Sequence, residues 1–213
     1  SNFVCAHPFL IIMNIQIVGN GSFGTFLKDI LGGGSGLHEP TPFKIVDEAD
    51  VVILAVPIDA YNEVAREHAG KTLVNVCSVQ TEANAIIKKY GHQYVGLHPL
   101  FGRRTPGFRA RHSILTLSHG QIASSFIERF RAFSSVTSMS ETSHDKLMAA
   151  THGASVKMAR DAKVIVDGVK DVPDYLVPNS FKLLRKFVTT LDDMPQGTID
   201  SIMSNKYINK EIV

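Results

Sequence analysis

Short β-branched runs recur along the first two thirds of the chain, at Ile15 to Val18, Val51 to Val56, Leu73 to Val76, Tyr94 to Leu97 and Ile114 to Leu117. Ser22 to Leu31, Ala60 to Ala69, Thr81 to Tyr90 and Gln121 to Phe133 carry apolar residues at helical spacing instead. A last short strand is predicted over Ser135 to Thr137. This alternation predicts a parallel sheet with crossover helices. A further strand is barely visible in Ser35 to Pro40, beside a flexible turn at Gly32 to Gly36.

The pattern changes near Ser140. Thr142 to Val166 and Ser180 to Thr190 read as helices, and strand candidates all but vanish. The chain therefore divides into an N-terminal extension (residues 1–12) ahead of Met13, an α/β sheet domain (13–140) and a small all-helical domain (141–213). So small a helical layer buries little alone and is expected to pack on the sheet domain or on a second copy. Its apolar positions Leu147, Val156, Val164, Phe181, Leu184, Phe187 and Val188 predict a homodimer through these helices.

Composition narrows the picture. With 213 residues, 44% hydrophobic and 20% charged, the chain is an ordinary globular one. Lys plus Arg number 22 against 20 for Asp plus Glu, so no overall field draws it to nucleic acid or anionic lipid. No apolar run approaches the roughly 18 residues of a membrane span. The distant cysteines Cys5 and Cys77 fit neither a disulfide framework nor a zinc spacing, which makes a cytoplasmic location the expectation.

Gly19-Asn20-Gly21-Ser22-Phe23-Gly24 is a G-x-G-x-x-G between a predicted strand and a predicted helix. In that context Gly19 allows a tight turn, Gly21 lets a pyrophosphate approach the backbone, and Gly24 lets the helix pack close. The helix N-terminus offers unpaired N–H groups to the phosphates. A Rossmann-type doubly wound sheet binding NAD or NADP is the reading. Glu39 stands where a ribose-binding acid is expected, while His38 or Lys44 would serve a 2′-phosphate.

Four segments resemble the prephenate/arogenate dehydrogenase family of tyrosine biosynthesis: Gly19 to Gly24, Ala49 to Pro57, Gly96-Leu97-His98-Pro99-Leu100-Phe101-Gly102, and His144 to Ala149. The third is the specific one, and the His-Asp pair opening the fourth supports it. The resemblance implies NAD(P)-dependent oxidative decarboxylation of prephenate or arogenate, a small dicarboxylate, to 4-hydroxyphenylpyruvate or tyrosine. It also places Val56 and Pro57 against the cofactor. Where the family has D-x-x-S-V-K, this chain has Asn75-Val76-Cys77-Ser78-Val79-Gln80, keeping the serine and losing both charges. The family's carboxylate-binding arginine has its nearest counterparts in Lys182 and Arg185.

The implied reaction needs a group to accept the proton of the substrate's hydroxyl as hydride departs. His98 suits it, at a predicted strand C-terminus and with a reference pKa near 6.5. Ser78 is expected either to orient His98 or bond the substrate oxygen, or to cap the helix from Thr81. Arg103, Arg104, Arg109 and Arg111 follow the His98 loop and suit carboxylates. His144 and His152 are eight residues apart, about 80° around a regular helix, so only one need face the cleft. No histidine spacing suggests a metal site. Two other readings stand beside this one: a β-hydroxyacid-type dehydrogenase using Lys157 in Gly153 to Lys157, and a dinucleotide-binding sensor without turnover, favoured by the charges lost around Ser78.

Overall fold

The computed structural model describes residues 13–32, 48–103, 105, 107, 110–192 and 194–208. The glycine-rich turn at Gly32 to Gly36 therefore lies mostly outside the described residues. The faint strand over Ser35 to Pro40, His38, Glu39, Lys44, Arg104 and Arg109 fall wholly outside them.

The sheet alternates with helices in chain order: β1 Ile15–Val18, α1 Ser22–Leu31, β2 Val51–Leu54, α2 Tyr61–Glu67, β3 Thr72–Asn75, α3 Gln80–Tyr90, β4 Gln93–Pro99, β5 His112–His119, α4 Gln121–Arg131 and β6 Ser135–Ser138. The strands lie side by side in that same order. β1 to β4 are parallel, and each of the first three is buried on both faces. Alternate residues split into two cores. Ile15, Ile17, Ile53, Val74 and Leu97 meet Phe26, Leu27, Phe126 and Phe130 of α1 and α4 on one face. Val18, Val52, Leu54 and Leu73 meet Tyr61, Val64, Ala83 and Ile87 of α2 and α3 on the other.

The sheet is parallel as expected except at one place. β5 runs antiparallel to β4, from Tyr94 opposite His119 to Pro99 opposite Ser113, with a register shift between Gly96 and Leu97. Among the described residues no crossover helix joins these two strands, and β5 pairs back antiparallel on β4. β6 then pairs parallel with β5 across α4.

After β6 every described element is helical. α5 Glu141–Met148, a π-helical stretch Ala149–Gly153 and α6 Ala154–Gly168 follow one another without a break, and α7 Asn179–Asp192 and α8 Gln196–Met203 complete the layer. Ser140 caps α5, its hydroxyl accepting from the Ser143 amide at 3.1 Å. Val156, Ala159, Leu191, Ile199 and Ile202 form a small core among α6, α7 and α8. α8 reaches back to the sheet, where Ser201 Oγ lies 3.1 Å from Cys77 Sγ and a Cβ on Gly197 would stand 3.1 Å from Pro57.

Candidate active site

The turn between β1 and α1 shows which glycines the protein needs for itself. Gly19 has φ +114°, and a Cβ there would sit 2.2 Å from the Ala55 carbonyl oxygen just beyond β2. A Cβ on Gly24 would fall 1.8 Å from the Gly19 oxygen, so α1 packs against the turn only because residue 24 has no side chain. Gly21 differs: its φ of −68° and ψ of −179° suit any residue, and a Cβ would meet no described residue within 4 Å. Among the described residues the space beside Gly21 is open, and α1 starts there without a side-chain cap. Open space against uncapped helix N–H groups fits the phosphates of a dinucleotide. Asn20 and Ser22 are exposed at the rim, Phe23 is half-buried near Phe26, and Val56 and Pro57 follow the end of the neighbouring β2.

His98 lies near the C-terminal end of β4. Phe101 anchors the following turn in the core, 6.1 Å from Phe26 and 6.4 Å from Phe130 between ring centroids. His98 Nδ1 lies 2.8 Å from His144 Nε2, and His144 Nδ1 lies 2.8 Å from Asp145 Oδ1. All three residues are buried. A carboxylate only accepts, so His144 Nδ1 donates to Asp145. With both rings neutral, His144 Nε2 is then an acceptor, His98 Nδ1 donates to it, and His98 Nε2 keeps its lone pair. No described residue bonds that nitrogen.

Burial drives the His98 pKa down to about 3, helped by the neighbouring His144 and His152 and opposed by Asp145. The value near 6.5 expected from sequence therefore does not apply, because a charged imidazole here would lose its water. Asp145 shows the opposite balance. Burial pushes its carboxyl up, but the bond from His144 and the amides of Gln80 (2.8 Å) and Thr81 (3.0 Å) outweigh it and hold it low. His152 also reaches this region, its pKa lowered by burial. The π stretch absorbs about one residue and so removes roughly 100° of turn, which brings His152 within about 20° of the His144 face instead of the 80° of a regular helix.

The segment bearing Ser78 is held by a network of amides and hydroxyls that the Glu141 carboxylate joins at Asn84 Nδ2, 3.1 Å away. Asn75 Nδ2 donates to Asn84 Oδ1 at 3.0 Å, Asn84 Nδ2 donates to Thr116 Oγ1 at 2.9 Å, Thr116 Oγ1 donates to Gln80 Oε1 at 2.6 Å, and Gln80 Nε2 donates to the Cys77 carbonyl at 2.7 Å. Asn75 and Gln80, at the positions where the resembled family has Asp and Lys, thus share one chain of hydrogen bonds. An unpaired buried charge would cost more than either amide. Gly96 belongs to the same design, since a Cβ there would stand 2.2 Å from Asn84 Oδ1.

A family model, the prephenate dehydrogenase nucleotide-binding domain, matches residues 33–121, the stretch from β2 through β5 that contains His98 and its motif. Over that stretch the chain is similar to the nucleotide-binding domain of prephenate dehydrogenase.

No curated protein matches the chain. Among solved structures, the prephenate dehydrogenase of A. aeolicus with hydroxyphenyl propionate and NAD+ is 19% identical, with 92% of this chain and 84% of that one covered at a TM-score of 0.65. A protein of Corynebacterium glutamicum, described as a candidate prephenate dehydrogenase, is also 19% identical over 89% and 74% of the two chains, at 0.64. The reductive aminase of Aspergillus terreus with NADPH and ethyl levulinate is 13% identical over 85% and 74%, at 0.55. At these identities the likeness establishes the shared fold.

Other sequence-predicted site residues of the chain lie apart from His98 in their bonding. Ser78 is half-buried and makes no hydrogen bond to His98 or to the start of α3 among the described residues. Asp145 satisfies that helix end, and His144 holds His98. Arg185 is committed elsewhere: its guanidinium donates to Asp174 at 2.6 Å and to the Val169 and Val172 carbonyls. Lys182 is exposed on α7, and Arg103 is exposed near Asp29 at 3.9 Å. Arg111 lies over Phe26 and Phe101. Lys157 is exposed on α6, without a hydrogen bond to a described residue. Asp145 is the member that sequence reading missed. The His-Asp pair was its only signal, because the helix it caps begins 65 residues earlier.

Proposed function

We propose that this chain is an NAD- or NADP-dependent dehydrogenase that oxidises and decarboxylates prephenate or arogenate, with His98 accepting the proton of the substrate hydroxyl. The observation that carries the reading is the buried Asp145, His144 and His98 chain at the C-terminal end of β4, which leaves His98 Nε2 as a bare acceptor inside the family-specific motif. Open α/β sheets bind their ligands at that edge. The Gly19 to Gly24 turn would hold the phosphates, and the dinucleotide, when bound, supplies the acceptor for the departing hydride. Protein atoms do the rest: Phe101 fixes the direction of the His98 turn, and burial keeps His98 neutral and able to accept.

Carboxylate binding falls to the less committed cations, the exposed Lys182 and Arg103, whose ion pair with Asp29 is long at 3.9 Å, over Arg185. A homodimer through the helices agrees with the exposed apolar residues Met158, Val164, Ile165 and Leu183. The hydrogen-bonded Asn75 and Gln80 weigh against the sensor reading, since these neutral residues sit in a satisfied network. Reduced nicotinamide absorbance, followed with each substrate and each oxidised cofactor, tests the proposal. His98→Asn should lower kcat by roughly 10²- to 10⁴-fold with cofactor affinity retained. Turnover within a few-fold of the parent would remove His98 as the base.

A further inference from the structure

Resting on that reading, we propose that the hydroxyl proton does not remain on His98 but passes through it to His144, where the Asp145 carboxylate holds the resulting imidazolium. Asp145 is then a positioning residue: it touches no substrate and acts through His144.

The need for a relay follows from burial. An imidazole whose pKa is about 3 carries a proton in only about one molecule in 10⁴ at neutral pH, so His98 alone is a poor resting place for one. The hydrogen bonds offer another. As the substrate's O–H bond breaks, a bond forms to His98 Nε2; the Nδ1–H bond of His98 breaks, and a bond forms to His144 Nε2, 2.8 Å away. His98 finishes neutral with its proton on the other nitrogen. His144 finishes with protons on both nitrogens, its Nδ1–H still directed at Asp145. The two electrons leave the substrate with the hydride, so the relay carries a proton alone. Once product departs, the same steps in reverse return the proton through His98 Nε2 to water.

The structure holds Asp145 for such a role from several sides. Its Oδ1 accepts from the Gln80 amide and its Oδ2 from the Thr81 amide, at the positive end of α3. Its own carbonyl accepts from Asn205 Nδ2 at 2.8 Å, beyond α8. The carboxylate therefore stays ionised and in place, and it aligns His98 only when the helical segment is seated on the sheet domain. The titratable groups facing the chain are His152 on the π stretch and Cys77 before α3, with Glu82 and Glu141 farther out. Burial raises the Cys77 thiol and lowers His152, which keeps both neutral near pH 7.

The test combines kinetics with ¹⁵N-histidine NMR on the full chain. At neutral pH without substrate, His98 should show protonated Nδ1 and bare Nε2, the minority tautomer of free histidine. Asp145→Asn should scramble that tautomer, lower kcat by about 10²- to 10⁴-fold and leave KM and cofactor affinity within about two-fold. His144→Gln, which keeps hydrogen bonds but cannot hold a second proton, should lower kcat to a similar degree. It serves as the kinetic test if Asp145→Asn fails to fold. Parent-like kcat in either folded variant, or a parent His98 protonated on Nε2, would overturn the relay. A parent inactive on both substrates would strike the functional reading, while the tautomer measured without substrate still decides the hydrogen-bond assignment on which the relay stands.

Discussion

Substituting Gly21 and Gly24 separately should split two properties that a glycine motif usually confounds. At Gly24 the added methyl would lie 1.8 Å from the Gly19 oxygen, against an ordinary contact of at least 3.4 Å, so the turn and the helix must part. Overpacking of that kind costs about 1–3 kcal/mol, or roughly 3–10 °C of melting temperature in a chain this size. At Gly21 the backbone is extended and no described residue lies within 4 Å of the Cβ position, so Gly21→Val should cost roughly 1 kcal/mol at most, for a poorer helix cap. The same side chain fills the space reserved for the pyrophosphate and should weaken cofactor binding at least about 10²-fold, close to 2.7 kcal/mol. Thermal melting and calorimetric titration with NAD+ and NADP+ read both quantities on each variant. A Gly21→Val chain that binds with parental affinity, or a Gly24→Ala chain that melts with the parent, would refute the assignment of the two glycines.

Acid should destabilise the fold in a window set by His98. Its folded pKa lies below its unfolded value, so the unfolded state binds more protons between about pH 6.5 and 3. The contribution is absent from the balance above that window and grows to a loss on the order of 3–5 kcal/mol as pH falls through it; His98→Asn should flatten the fall in melting temperature over the same range. Arg185→Ala should lower stability by roughly 1–2 kcal/mol through loss of Asp174 and two carbonyls, with KM within two-fold of the parent, whereas a large KM rise would restore it to the substrate site. Val164→Asp should shift sedimentation toward monomer at micromolar concentration if the exposed apolar face is the dimer contact.

Much of the fold was legible because a strand or helix advertises its own burial. The apolar runs at Ile15, Val51 and Leu73 mark strands covered on both faces, and α1 occurs over the very residues whose periodicity predicts it. The G-x-G-x-x-G turn and the His98 motif were legible for the same reason, since each is a contiguous stretch whose local geometry dictates its residues. The direction of β5 was not, because its pattern of buried positions is the same whichever way the strand runs, and only pairing with β4 decides it. The partners of His98 were also beyond the sequence. A regular helix sets His144 and His152 on different faces, and only the π turn realigns them. His98 and His144 are 46 residues apart, and Asp145 caps a helix whose first residue lies 65 positions away. Hydrophobic periodicity records which side of an element is buried, whereas a buried hydrogen bond depends on where two separately folded elements come to rest against each other.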